Sequence, residues 1–186
     1  MKKILCILVL LATLGCARAE AGTEYCTDTI NENQTAVYFP RHNQYVEPVV
    51  VDLFDKANRS IDVAMYGFDD PLIAKSLVEA AARGIKVRVI TDRWESQTKY
   101  QHLTLDELLF AHIPIKINSH PDSMNLKMCI IDDKIATTGS YDFTLQDNQT
   151  NDEMFVVITE QKFVRICKDE FDRLWKSEKG FVNYPQ

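Results

Sequence analysis

Asn125 and Lys127 stand two apart in an apolar run, Asn125-Leu126-Lys127-Met128-Cys129-Ile130-Ile131-Asp132, and six further residues lead to Gly139-Ser140 and then Tyr141-Asp142-Phe143-Thr144. A lysine at the mouth of a strand can hold an anionic oxygen, against the bland reading of a solvated strand lysine. Asp132, Asp142 and, further on, Glu153 supply carboxylates, while Ser140 supplies a hydroxyl beside a glycine that lets the backbone approach closely. Asn125 offers hydrogen bonds only. Its amide nitrogen lone pair is delocalised into the carbonyl and the group does not titrate, so it serves neither as nucleophile nor as proton donor in catalysis.

The spacing of Lys127, Asp132, Gly139 and Ser140 resembles the HxKxxxxDxxxxxxGS signature of the phospholipase D superfamily, with Asn125 where the histidine belongs. The likeness extends to Ser60-Ile61-Asp62-Val63-Ala64-Met65-Tyr66-Gly67-Phe68, to Arg83-Gly84-Ile85-Lys86-Val87 and to Asn151-Asp152-Glu153. In that family, phosphodiester hydrolysis passes through a phospho-histidine while a second motif's histidine protonates the leaving oxygen. The resemblance therefore implies a phosphodiesterase that lacks its nucleophile. Asn125, Lys127 and Asp132 occupy the catalytic positions, and Gly139, Ser140, Asp142 and Glu153 the phosphate-binding or supporting ones. Asp132 is expected to hold the strand turn rather than to touch substrate, and Glu153 to accept from Asn125 or Ser140. Loss of a general acid costs about 10²–10⁴ in rate, and loss of a nucleophile that works within a unit about 10⁶. The family reaction requires no metal or other cofactor, and no Cys/His spacing in the chain suggests a metal site.

Asp142 is a second departure, since the family has asparagine there. A carboxylate about 4 Å from a phosphate is repelled by roughly 4 kcal/mol at an effective dielectric of 20. An internal Lys127–Asp142 ion pair is expected to occupy part of the former phosphate site; an outward-turned Asp142 is the alternative. His120 lies five residues before Asn125 and reads as a loop histidine, because an offset of that size rarely reproduces an in-line attack. His112, after Leu108-Leu109-Phe110, reads as a helix C-terminal cap.

One motif copy is present, whereas the reaction uses two histidines. Chains similar to the small bacterial Nuc-type endonucleases are thus expected to form homodimers across the motif face. Size and single-motif layout favour nucleic acid over phospholipid as the phosphodiester substrate. A non-catalytic binding protein, or a partner for an intact paralogue, is the reading from a different class.

The elements that must position these residues alternate along the chain. Strands are expected at 35–39, 60–68, 86–91, 113–117, 126–131, 134–138 and 153–159, and helices at 45–57, 71–83, 103–111 and 160–176. Phe163, Ile166, Cys167, Phe171, Leu174 and Trp175 form the buried stripe expected of the last helix. This order implies an α/β fold, and the resemblance makes it a phospholipase D-like sandwich with a central mixed sheet flanked by helices, spanning 35–180.

Residues 1–19 have the makeup of a signal peptide: Lys2 and Lys3, an apolar stretch from Ile4 to Leu14, and Ala17-Arg18-Ala19 before the expected cleavage. Residues 20–34 are polar and turn-rich. Export to the periplasm or beyond is the expectation, with a lipoprotein anchored at Cys16 as the alternative. Of 21 Lys+Arg and 27 Asp+Glu, Lys2, Lys3 and Arg18 leave with the signal, so 18 basic residues face 27 acidic ones for a net charge of −9. That balance argues against an indiscriminate nucleic-acid binder. Cys26, Cys129 and Cys167 remain in an oxidising compartment, where Cys26 with Cys167 is the expected pair and Cys129 a buried free thiol.

Overall fold

A computed structural model describes residues 32–42 and 44–185. Residues 1–19, where a signal peptide is expected, and with them Cys16, as well as Cys26 and most of the N-terminal segment, lie outside the described residues. Eight strands form one sheet in the order β1-β7-β6-β5-β2-β3-β4-β8. They are β1 (Thr35–Tyr38), β2 (Ser60–Met65), β3 (Lys86–Thr91), β4 (Ile115–Asn118), β5 (Lys127–Ile131), β6 (Ile135–Gly139), β7 (Phe155–Ile158) and β8 (Phe181–Asn183). The β2–β3 and β3–β4 pairs are parallel and the remaining pairs antiparallel, so the sheet is mixed. Helices α1 (Val46–Asp55), α2 (Pro71–Ala82), α3 (Lys99–Phe110), α4 (Leu145–Gln149) and α5 (Gln161–Lys176) complete the fold.

Two apolar layers flank the sheet. On one face, Ile61, Val63 and Met65 of β2 pack with Val50, Phe54, Leu77, Leu105 and Phe143. On the other, Ala64, Ile90 and Ile130 meet Val164, Phe171 and Leu174 of α5. Asp62 points into this second layer, where a charge needs partners. Arg88 supplies them: its Nε and Nη2 donate to the two Asp62 oxygens at 2.7 and 2.8 Å, and Nη2 also reaches Asp172 at 2.9 Å. The guanidinium lies over Phe171 and Trp175, so α5 is fixed by charge as well as by apolar area.

Helix ends follow local chemistry. Asp70 caps α2 by accepting from the Leu72 and Ile73 amides, with Pro71 in the first turn. Gly84, at φ +88°, closes the other end, with Gly84 N–H on Ala81 and Ile85 N–H on Ala80. His112 takes the same place after α3 at φ +59°: its N–H donates to Leu109 and that of Ile113 to Leu108. It ends the helix through its backbone.

Several boundaries differ from expectation. Helix α3 begins at Lys99, four residues before Leu103, because Thr98 and the short 3-10 turn Glu95–Gln97 lead straight into it. The stripe on α5 is corrected at Ile166, which is 60% exposed, while Val164 is buried instead. Strand β8 and helix α4 carry too few residues to show periodicity, and β8 continues the sheet past residue 180 through its pairing with β4. Among the described cysteines, Cys129 is buried and Cys167 half-buried, and both are free. Cys26 lies outside the described residues. No helix among the described residues is long and apolar enough to cross a membrane.

Candidate active site

The site forms where β2, β3 and β5 end together. Leu126 accepts from the Tyr66 amide at 3.0 Å, which aligns the approach to β5 with the exit from β2. Buried Asp92, just after β3, accepts from the Met124 amide at 2.8 Å, and from the amides of Trp94 and Glu95. Asn118, also buried, accepts from Arg93 N–H at 2.7 Å and donates to the carbonyls of His120 and Asp122. These two side chains hold the loop that delivers Asn125. Sequence reasoning passed over both; a polar residue at the end of an apolar strand was the signal available.

Asn125 is exposed at this mouth. Lys127, the first residue of β5, donates from Nζ to Asn125 Oδ1 at 2.7 Å and pairs with Asp142 Oδ2 at 3.1 Å. The side chains of Lys127 and Asp142 are only 15% and 14% exposed. The ammonium also lies 4.9 Å from the centre of the Tyr66 ring. Tyr66 in turn donates its hydroxyl proton to Glu95 at 2.9 Å, and that bond, first among the causes, pushes the phenol up to about 12. The other Asp142 oxygen accepts from the Gly67 amide at 2.8 Å. Burial pushes the Asp142 carboxyl above the usual carboxylate range. Gly67 and Lys127 pull it down, but together they do not offset burial and the nearby Asp147.

Gly139 and Ser140 lie on the adjoining β6 edge. Gly139 has φ +144°, and a Cβ there would sit 1.9 Å from the Met154 carbonyl oxygen. Ser140 exchanges two bonds with Met154: its N–H donates to the carbonyl at 3.0 Å and its Oγ accepts from the amide at 3.1 Å. Glu153 lines a shallow cavity of about 310 Å³ with Ser140, Arg41 and Met154. Neither Asn125 nor Ser140 donates to it among the described contacts, which corrects the expected bond.

Asp132 sits at the far end of β5, away from this cluster. With Asp133 it forms a turn in which both residues have positive φ, at 56° and 57°. Its carboxylate accepts from the amides of Asn58, Arg59 and Ser60 at 2.9, 2.7 and 3.0 Å. His120 packs edge-on against Phe181 at 5.7 Å and makes no hydrogen bond to Asn125 or Lys127. No group of three or more His, Cys, Asp or Glu among the described residues is arranged to hold a metal ion.

The arrangement can orient an amide and neutralise one carboxylate. Lys127 is already bound on two sides by groups of this chain.

Comparison with known proteins agrees with this geometry. The family described as cardiolipin synthase, PLD-like domain, matches residues 50–175. The chain is 38% identical over 113 residues to a phospholipase D of Rickettsia conorii, covering 61% of this chain and 56% of that one. It is 35% identical over 134 residues to the phospholipase D of Rickettsia prowazekii, covering 72% and 62%. It thus spans a little over half the length of these relatives. The crystal structure of the phospholipase D family member Nuc from Salmonella typhimurium superposes with a TM-score of 0.75 at 25% identity, covering 82% of this chain and 99% of that one. On the span of that domain match and the motif that Lys127, Asp132, Gly139 and Ser140 carry, the chain belongs to the phospholipase D superfamily.

Proposed function

We propose that this chain is an exported, nuclease-like phosphodiesterase fold whose catalytic centre is silent or strongly impaired, working as a homodimer whose two motif faces meet. The observation that carries this reading is the double occupation of Lys127, by the Asn125 amide oxygen and the Asp142 carboxylate. A phosphate entering the site must displace an ion pair that is mostly shielded from water, where the attraction is stronger than at a surface. Asn125 then offers the phosphorus no nucleophile. In a homodimer each pocket loses attacking and protonating groups together, because both copies carry the same residue.

Nucleic acid is favoured over phospholipid as the substrate class. The likeness to Nuc over nearly all of that chain supports the smaller, single-motif layout. The test is a chelator-treated phosphodiesterase assay on the purified exported chain with a model phosphodiester and with nucleic acid. Turnover many orders of magnitude below that of an intact relative is expected; robust turnover overturns the silent reading. Co-purification from the native host with a histidine-bearing paralogue would instead give the chain the role of a non-catalytic half-site.

A further inference from the structure

The segment that carries the chain from β3 into α3 runs along the motif mouth and is pinned there at three points. Asp92 Oδ1 accepts from the Trp94 and Glu95 amides while its Oδ2 accepts from Met124, so one carboxylate sets both this segment and the approach to Asn125. Buried Ser96 ties down the 3-10 turn Glu95–Gln97 by donating to the Arg93 carbonyl at 2.8 Å. Buried Gln101, in the first turn of α3, donates to Thr91 Oγ1 at 2.7 Å and accepts from the Phe68 amide at 2.8 Å. Gln101 thus turns in toward the ends of β2 and β3, and its neighbour Tyr100 is left facing water.

Two aromatic rings stand on this pinned segment, each with a cation over it. Trp94 is 54% exposed and Tyr100 66%. The Arg93 guanidinium carbon lies 5.4 Å from the centre of the Trp94 ring, and Lys99 Nζ lies 5.5 Å from that of Tyr100. Neither cation forms an ion pair among the described residues. Leu103, one turn beyond Tyr100 on the same helix face, is exposed as well. A ring open to water beside a free cation offers a face to a flat π system and a charge to an anion at once. Every nucleotide of a single strand carries that pair of groups, whereas the bases of a duplex are already stacked on one another and offer no face.

We propose that Trp94 and Tyr100 form a stacking platform for the bases of a single nucleic-acid strand at the edge of the motif mouth, with Arg93 and Lys99 on its phosphates. The inference rests on the nucleic-acid reading above and narrows it to unpaired strands. It requires no turnover at the motif. The platform is short: the Glu95 carboxylate is taken by the Tyr66 hydroxyl, and exposed Asp106 and Glu107 follow Leu103 on α3, so a strand meets repulsion within about one turn beyond Tyr100. The same two acids separate Leu103 from Phe110, which is 89% exposed, and they oppose seating this face on an anionic bilayer.

Fluorescence anisotropy with a labelled oligothymidylate of about 16 nucleotides, set against a duplex of equal length, tests it. Co-sedimentation with vesicles of phosphatidylethanolamine and phosphatidylglycerol is measured alongside. The wild type should bind the single strand at least about tenfold tighter than the duplex. W94A and Y100A should each weaken that binding about 5- to 150-fold, the loss of one stacked base, while W94F and Y100F, which keep a ring, should retain most of it. Indole emission should be quenched by the strand in the wild type and not in W94F, which separates Trp94 from Trp175, the other tryptophan of the chain. Unchanged binding in W94A and Y100A overturns the platform and leaves the nucleic-acid reading standing. Equal affinity for strand and duplex does the same. Binding of neither overturns both, and binding of vesicles alone overturns the proposal in favour of a lipid surface. Should the alanine variants fail to fold, the emission of the wild type against W94F decides alone.

Discussion

Lys127 Nζ lies 3.1 Å from Asp142 Oδ2, so the cation proposed to meet a phosphate is bound to a carboxylate of its own chain. Both side chains are more than four-fifths buried, and the pair is completed by the Gly67 amide on one side and the Asn125 amide oxygen on the other.

Anion binding should respond to this pair. D142N is expected to strengthen sulfate binding at least about tenfold, since the repulsion removed is worth roughly 4 kcal/mol at close range before partial screening. Because Asp142 has a raised pKa in the folded state, it neutralises earlier on acidification than an ordinary carboxyl. Wild-type sulfate affinity should therefore rise as pH falls toward the carboxyl range, while that of D142N should change less. Calorimetric titration at several pH values checks this; parallel profiles count against it.

Asp132 should prove structural. Three amides of the α1–β2 connection depend on its carboxylate, and despite burial those bonds hold its pKa below the usual carboxylate range. A depressed carboxyl contributes stability above its unfolded pKa, and that contribution is lost as pH falls through the folded one. D132N should cost about 2–4 kcal/mol near neutral pH, by weakening several charge-assisted bonds at once, and should flatten the acid limb of the stability profile. Chemical denaturation as a function of pH reads both effects.

Gly139 and Gly84 separate two reasons for glycine. Both have positive φ, but a Cβ at Gly84 meets nothing within 4 Å, whereas at Gly139 it would strike the Met154 carbonyl. G84A should cost about 1–2 kcal/mol from backbone conformation alone. G139A should cost more than about 3 kcal/mol, or prevent folding, because the β6–β7 edge must move. Equal losses would show that the close approach matters little.

Much of this architecture was legible from the sequence because it rests on strong local signals. The alternation of Ile61, Val63 and Met65, the Pro71 start and Gly84 stop of α2, and the paired aspartates at 132 and 133 each specify one conformation. What remained hidden depends on contacts distant in sequence. Nothing local to Asp92 or Asn118 says that they anchor the loop before Asn125, and nothing around Ile166 says that Val164 would take the core position on α5. Lys127 and Asp142 could be matched because family spacing places both at one site.

The oligomeric proposal is directly measurable. A lone motif copy favours two-fold pairing across the motif face, where Trp94, Leu145 and Met154 are apolar and exposed. Light scattering at micromolar concentration should report a dimer; a monomer contradicts the pairing.

Two departures from the family motif, Asn125 and Asp142, are together proposed to silence this site, and neither alone accounts for the silence. Phosphodiesterase turnover should be compared across wild type, N125H, D142N and N125H/D142N, with chelator present throughout. N125H alone returns the nucleophile, and in a dimer the protonating group as well, yet leaves Lys127 paired with Asp142; it should restore little. The double variant should exceed the product of the two single effects, which is the signature of residues acting on one shared partner. Strong turnover by the unmodified chain, or a double variant no better than N125H, would show that Asp142 does not hold Lys127 away from phosphate.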